Sequence, residues 1–160
     1  MHRTAISEAI PFTHFRTIPF GDTDAAAIVY TPRFVDYCME AIEVWFKQYI
    51  GIDWYWINVR DQRGTPVVHL ELDFTGPLIG GDELGITLEV REIGRSTLTL
   101  GLVGLRGPSQ GGGDSSVFNA KFVFCFVDTS KNKSISIPAE SLEKIHAYKN
   151  AMQVEADSLN

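Results

Sequence analysis

The sequence predicts an α+β domain in which one long, apolar central helix is wrapped by an antiparallel sheet. Three observations carry that expectation. A wide apolar stripe at helical spacing runs from Pro32 to about Ile50. From Val67 onward the period of the pattern becomes two, in several successive runs. The order is strand, helix and then strands, without the βαβ alternation of a parallel sheet. Curling a one-sided sheet around one apolar helix buries both economically.

Residues 1–12 read as a loose N-terminal segment. The run from His14 to Phe20 alternates as a strand, with Pro19 favouring an edge or a strand end. Gly21-Asp22-Thr23-Asp24 breaks it. Thr31-Pro32 is a helix start, because Thr31 can cap free N–H groups and Pro32 loses no bond at the first helical position. Phe34, Tyr37, Cys38, Ala41, Ile42, Trp45 and Tyr49 form the buried stripe, and Gly51 ends it. Ile52 to Gly64 is an aromatic-rich connector. Val68, Leu70, Leu72 and Phe74 then face one way, and Val67, His69, Glu71 and Asp73 the other. The runs Leu84–Val90, Leu98–Leu102 and Phe118–Phe126 repeat the pattern on either side of the Gly94-Arg95 turn and the glycine-rich loop 107–116. Each reads as a one-face-buried antiparallel strand, five strands in all. A second, more polar helix covers Pro138–Lys149, within a C-terminal helix and tail at 138–160. The 160 residues make a single domain.

Composition narrows the function classes. Hydrophobic residues make up 44% and charged residues 21%, which excludes disordered and fibrous classes. The net charge of −6 argues against nucleic acid as a partner. Cys38 and Cys125 sit among apolar neighbours and read as free thiols of a reducing compartment. No secretory signal and no run long enough to span a bilayer is evident, so a cytoplasmic location is expected.

The segment Phe20-Gly21-Asp22-Thr23-Asp24-Ala25-Ala26-Ala27-Ile28-Val29-Tyr30 sets two carboxylates just before the helix. Taken alone, they read as turn formers. The whole pattern, followed by Pro32 and an aromatic helix, resembles the 4-hydroxybenzoyl-CoA thioesterase group of the hotdog-fold superfamily. Gly64-Thr65-Pro66-Val67-Val68 and Gly80-Gly81-Asp82-Glu83-Leu84 fit the same group, and the resemblance extends from about Phe15 to Val127. It implies a hotdog fold and hydrolysis of an acyl-CoA or aroyl-CoA thioester, with CoA as part of the substrate and neither cofactor nor metal required. Asp24 matches the catalytic carboxylate. Thr31, with Tyr30, matches the helix start where backbone N–H groups polarise the carbonyl, and such donors suit the charge that develops there. Relatives often carry glycine where Ala27 stands. Many carry an acidic residue where Met39 stands, so Met39 suggests a more apolar acyl or aryl group. Arg95 and Ser96 match a turn that meets CoA phosphates, with Arg91 nearby. The resemblance further implies a homodimer with a continuous sheet, pairing into a homotetramer. Its active site would combine Asp24 and the helix start of one subunit with Thr65, Pro66 and Val67 of the other.

Two rival functions are weighed. A hotdog dehydratase or hydratase needs a histidine paired with an acid facing the acyl chain, and His69 is the one plausible residue. A non-catalytic CoA-thioester-binding module would bind without releasing thiol. His14 with Asp22 and Asp24 imitates a metal set but falls on either side of a strand end. Trp54-Tyr55-Trp56 could wall an acyl pocket or cover an apolar edge.

Overall fold

Apolar residues at every third or fourth position, then at every second, dictate which surfaces meet. The computed structural model describes residues 10–107 and 115–159. The elements in chain order are β1 (Thr13–Thr17), α1 (Arg33–Trp45), α2 (Trp54–Val59), β2 (Arg63–Gly64), β3 (Val67–Phe74), β4 (Glu83–Ile93), β5 (Thr97–Arg106), β6 (Ser115–Cys125), β7 (Val127–Asp128), β8 (Lys133–Ser134) and α3 (Ala139–Ser158). A wider π turn, Phe46–Ile50, continues α1. Five strands form one antiparallel sheet in the order β1-β4-β5-β6-β3, and β2, β7 and β8 form a small second sheet.

The core lies between α1 and the inner face of the large sheet. Phe34, Tyr37, Cys38, Ala41, Ile42 and Trp45 of α1 are buried. They meet Leu84, Ile86 and Leu88 of β4, Leu98, Leu100 and Leu102 of β5, and Phe118, Phe122 and Phe124 of β6, all within one apolar cluster. Removing such area from water supplies the main drive for folding. Burial pushes the Cys38 thiol up to about 12, so it stays protonated and inert. Gly51 ends the helix with φ +79°, and its N–H returns to the Phe46 carbonyl.

Several details differ from the pattern read in the sequence. Thr31 does not cap α1: the cap position is Pro32, with no side-chain bond. The connector after Gly51 contains the short helix α2, capped by the Asp53 carboxylate through Tyr55 and Trp56 N–H groups. Aromatic crowding hid that start, although Asp53 itself signals it. The second helix runs on to Ser158. The N-terminal segment is not loose as far as residue 12. Phe12 is buried, and its N–H donates to the Tyr148 hydroxyl, which in turn donates to the Leu88 carbonyl. Residues 1–9 and the Gly111–Gly113 tip lie outside the described residues.

Strand β3 departs most. Among the described residues it pairs with β6 on one edge only and has no strand on the other. Val68, Leu70 and Phe74 are consequently 58%, 39% and 50% exposed. A bulge between Val67 and His69 also breaks the strict alternation. Val67 pairs with Phe124, which puts it on the core side with Leu70, Leu72 and Phe74 rather than on the polar side with His69.

Candidate active site

The loop between β1 and α1 is closed by its own backbone. Tyr30 N–H donates to the Asp22 carbonyl at 2.9 Å, Thr23 bridges Val29, and Asp24 N–H donates to the Ile28 carbonyl at 2.9 Å. At the tip, Ala27 N–H returns to the Asp24 carbonyl, and Ala26 N–H donates to Asp24 Oδ1 at 2.8 Å. This Asx turn orients the Asp24 carboxylate, which stands at the surface. Ala27 adopts φ +61°, a left-handed conformation that glycine takes up without strain.

The loop rests on the segment that leaves β3. Val29 N–H donates to the Leu78 carbonyl at 2.8 Å. A Cβ at Gly80 would stand 3.2 Å from the Phe20 Cα, so glycine lets the two backbones approach. Asp82 accepts Ile79 N–H at 3.0 Å and shapes the turn.

Asp22 anchors the base of the loop, a role that sequence reasoning left as turn formation. Its carboxylate accepts the Tyr37 hydroxyl at 2.7 Å and faces Arg33 at 3.5 Å and Arg16 at 4.0 Å. Arg16 lies over the Tyr37 ring, 4.2 Å from its centroid, and reaches Glu40. His14 bonds Glu40 at 2.9 Å and therefore belongs to this network rather than to a set around Asp24. Burial and the neighbouring Asp22 carboxylate push the Tyr37 hydroxyl well above its ordinary range, so it remains a donor.

The start of α1 offers one donor, not two. Tyr30 N–H is committed to Asp22, which corrects the expectation that it faces a carbonyl oxygen alongside Thr31. Arg33, Phe34 and Val35 N–H groups turn back to Tyr30, Thr31 and Pro32 carbonyls. Thr31 N–H has no partner among the described residues. Thr31 also lines a cleft of about 340 Å³ with Val29, Phe34, Phe74, Pro77 and Leu78.

A second cavity, of about 480 Å³, lies at the other end of β3. Met39, Thr65, Pro66 and Val67 meet there, joined by Trp54, Asn58, Gly64, Val127, Thr129 and Asn132. The bulge is what turns Val67 into this space. Trp54 lines the cavity, whereas Tyr55 and Trp56 are exposed. The hairpin residues Thr129 and Asn132 carried no recognisable signal in the sequence. With about 3.3 Å per residue, β3 separates Val67 from Phe74 by about 23 Å. Within one chain, the cavity and the Asp24 loop therefore stand apart.

The Arg95–Ser96 turn is at the cavity's end of the sheet. Ser96 accepts Phe126 N–H at 2.7 Å, and Cys125 N–H donates to the Pro66 carbonyl at 3.0 Å. Arg95 is exposed, with one weak partner, Ser136 Oγ at 3.2 Å. Arg91 is paired with Glu89 at 2.7 Å, and Arg106 lies opposite Leu84 at the far end, so no cluster of the three forms. His69 sits on the outer face, bonded to Glu71 at 2.7 Å and facing away from the cavity.

Residues 18–145 match the family model described as the thioesterase-like superfamily. Among similar proteins, a 1,4-dihydroxy-2-naphthoyl-CoA hydrolase of Gloeothece citriformis is 34% identical over 103 residues, covering 61% of this chain and 68% of that one. A second, of Crocosphaera subtropica, is 42% identical over 76 residues, covering 48% and 55%. The chain thus spans from about half to two thirds of the length of these curated relatives. Among solved structures, an aspartate-to-asparagine mutant of 4-hydroxybenzoyl-CoA thioesterase, complexed with 4-hydroxybenzoyl-CoA, superposes with a TM-score of 0.76 at 25% identity, covering 84% of this chain and 97% of that one. No helix among the described residues is long and apolar enough to cross a membrane.

Proposed function

The chain belongs to the thioesterase-like superfamily, with its hotdog fold, and on that premise we propose that it hydrolyses the thioester of an acyl-CoA or aroyl-CoA to a carboxylate and free CoA. The observation that carries this reading is the pairing, on one closed loop, of a presented carboxylate with a spare N–H at a helix start. Negative charge gathers on the carbonyl oxygen as the carbonyl carbon is attacked. Thr31 N–H, at the positive end of α1, suits that oxygen. Asp24 either attacks the carbonyl carbon, giving an anhydride that water opens, or takes a proton from the attacking water. In both routes the C–S bond breaks and the sulfur leaves as the CoA thiol. No metal or cofactor enters either route.

The complete site needs two copies of the chain. Among the described residues, the open edge of β3 carries unpaired backbone groups beside Val68, Leu70 and Phe74, a surface suited to a second β3. Antiparallel pairing about a two-fold axis sets the Val67 end of one strand against the Phe74 end of the other. That brings the Asp24 loop and Thr31 of one subunit to the Met39–Thr65–Pro66–Val67 cavity of its partner. Arg95 and Ser96 then stand at the rim on the cavity's side, where CoA phosphates need only a few cations. The acidic net charge is no obstacle to such a local contact. Two dimers joined as a tetramer, working on CoA esters in the cytoplasm, complete the reading.

Asp24→Asn is the test. Thiol release should fall at least about 100-fold, with circular dichroism and particle mass unchanged. Near-normal turnover of the best substrate would overturn the assignment. Light scattering of the wild-type chain separates monomer, dimer and tetramer.

A further inference from the structure

We propose that Thr65, Thr129 and Asn132 read an uncharged oxygen substituent, a hydroxyl or keto group, on the acyl portion of the substrate, and that the cavity they line rejects acyl groups bearing a charge. This rests on the thioester-hydrolase reading and adds to it the class of acyl group.

The cavity has two unlike walls. Met39, Trp54, Val67 and Val127 make one wall apolar. Thr65, Thr129 and Asn132 make the other hydrogen-bonding. Its volume of about 480 Å³ accommodates a substituted ring. None of the described residues lining it is ionisable. A carboxylate or ammonium entering it would lose hydration without gaining a counter-charge.

The polar wall is unused by the protein itself. Thr65 is only 9% exposed, yet its hydroxyl has no hydrogen-bond partner among the described residues. The Thr129 hydroxyl and the Asn132 amide also lack one, although Thr129 N–H is held by the Gln62 carbonyl. Asn58 differs, since its amide donates to the Trp54 carbonyl at 2.7 Å. Buried polar groups are ordinarily satisfied, so the unpaired hydroxyl of the nearly buried Thr65, with the exposed Thr129 and Asn132 side chains beside the same hollow, points to a partner that enters from outside. The wall is also braced by hydrogen bonds of its own. Asp128 Oδ1 accepts Ser130 N–H, the Ser130 hydroxyl and Lys131 N–H, while Asp128 Oδ2 faces Lys131 Nζ at 3.8 Å. Asp128 and Lys131 thus spend their charges on each other within the β7–β8 hairpin. With Met39 on the helix side, recognition of the substituent falls to Thr65 and the small-sheet hairpin.

The experiment measures kcat/KM for thiol release from the CoA esters of benzoate, hydroxybenzoate, acetylbenzoate and terephthalate. Wild type is compared with Thr65→Val, which keeps the shape, and Asn132→Gly, which suits the φ of +51° at that position. The hydroxy and acetyl esters should exceed the carboxylate-bearing ester by at least about tenfold. Each variant should shrink the ratio of hydroxybenzoyl to benzoyl turnover by about fivefold or more. Equal turnover of the carboxylate-bearing ester, or a ratio unchanged in both variants, overturns the proposal while leaving the hydrolase reading intact. No thiol release by the wild type from any of the esters overturns both.

Discussion

The Asp24 loop and the cavity at the opposite end of β3 are built by different means. The loop holds few apolar contacts and many hydrogen bonds: Tyr30 to Asp22, Asp24 to Ile28, Ala26 to the Asp24 carboxylate. Charged groups anchor it from below through Asp22, Tyr37, Arg33 and Arg16. The described residues lining the cavity carry no charge, and it is shaped by packing, by a strand bulge and by a hairpin. Directional bonds fix a reacting atom, whereas an apolar hollow with neutral oxygens and amides admits a family of shapes. On the proposed reading, reaction and recognition fall to separate ends of one exposed strand, and neither end is complete alone.

Subunit mixing attacks that separation most directly. Asp24→Asn removes the carboxylate, and Met39→Trp fills the cavity. Each alone should be nearly inactive. Refolded together, statistical dimers should recover about one quarter of wild-type thiol release, because half are mixed and each mixed dimer has one intact site. Recovery no greater than the sum of the parents would put both halves of the site in one chain.

Asp22→Ala sharpens the contrast in anchoring. It leaves the Tyr37 hydroxyl without its acceptor and Arg33 with Asp36 alone, so kcat should drop about tenfold while KM stays within about twofold, since the cavity is remote. Asp22→Asn, which still accepts from Tyr37, should recover part of the loss. An equal rise in KM would link the anchor to recognition.

Tyr148→Phe probes the closure between β1 and β4, away from both regions. It strands Phe12 N–H and should lower stability by about 1–3 kcal/mol in denaturant titration, with kcat/KM retained. Burial raises the Tyr148 hydroxyl above its ordinary range, and the same holds for Tyr37. The stabilisation is therefore present in full below the unfolded value near pH 10 and is lost as pH rises toward the folded value. Melting temperature should fall above about pH 10, less steeply in Tyr148→Phe.

The smallest effect is expected at the loop tip. Ala27→Gly relieves the left-handed strain and should stabilise by about 1 kcal/mol, measured by thermal unfolding. A loss of stability would mean that the extra freedom of glycine in the unfolded chain outweighs that relief.

Much was legible before the structure. Helical spacing marked α1, since a stripe from Phe34 to Trp45 can be buried in one way only. The alternating phenylalanines of β6 marked an inner face. Asp24, Thr31, Met39 and Thr65 were picked out by motif. What escaped were features without periodicity: the Val67 bulge, the α2 helix under its aromatics, and the β7–β8 hairpin that supplies Thr129 and Asn132. Tyr30 was misjudged because the partner of a backbone N–H is set by chain closure, not by residue type.

The sequence by itself determined the main elements and marked the Asp24 segment, because side-chain period and turn chemistry act over a few residues. Only the tertiary structure decided which N–H remained free, which way Val67 faced and which neutral groups walled the cavity. Those depend on strand register and on contacts between residues far apart in the chain, such as Val67 with Phe124 and Val29 with Leu78.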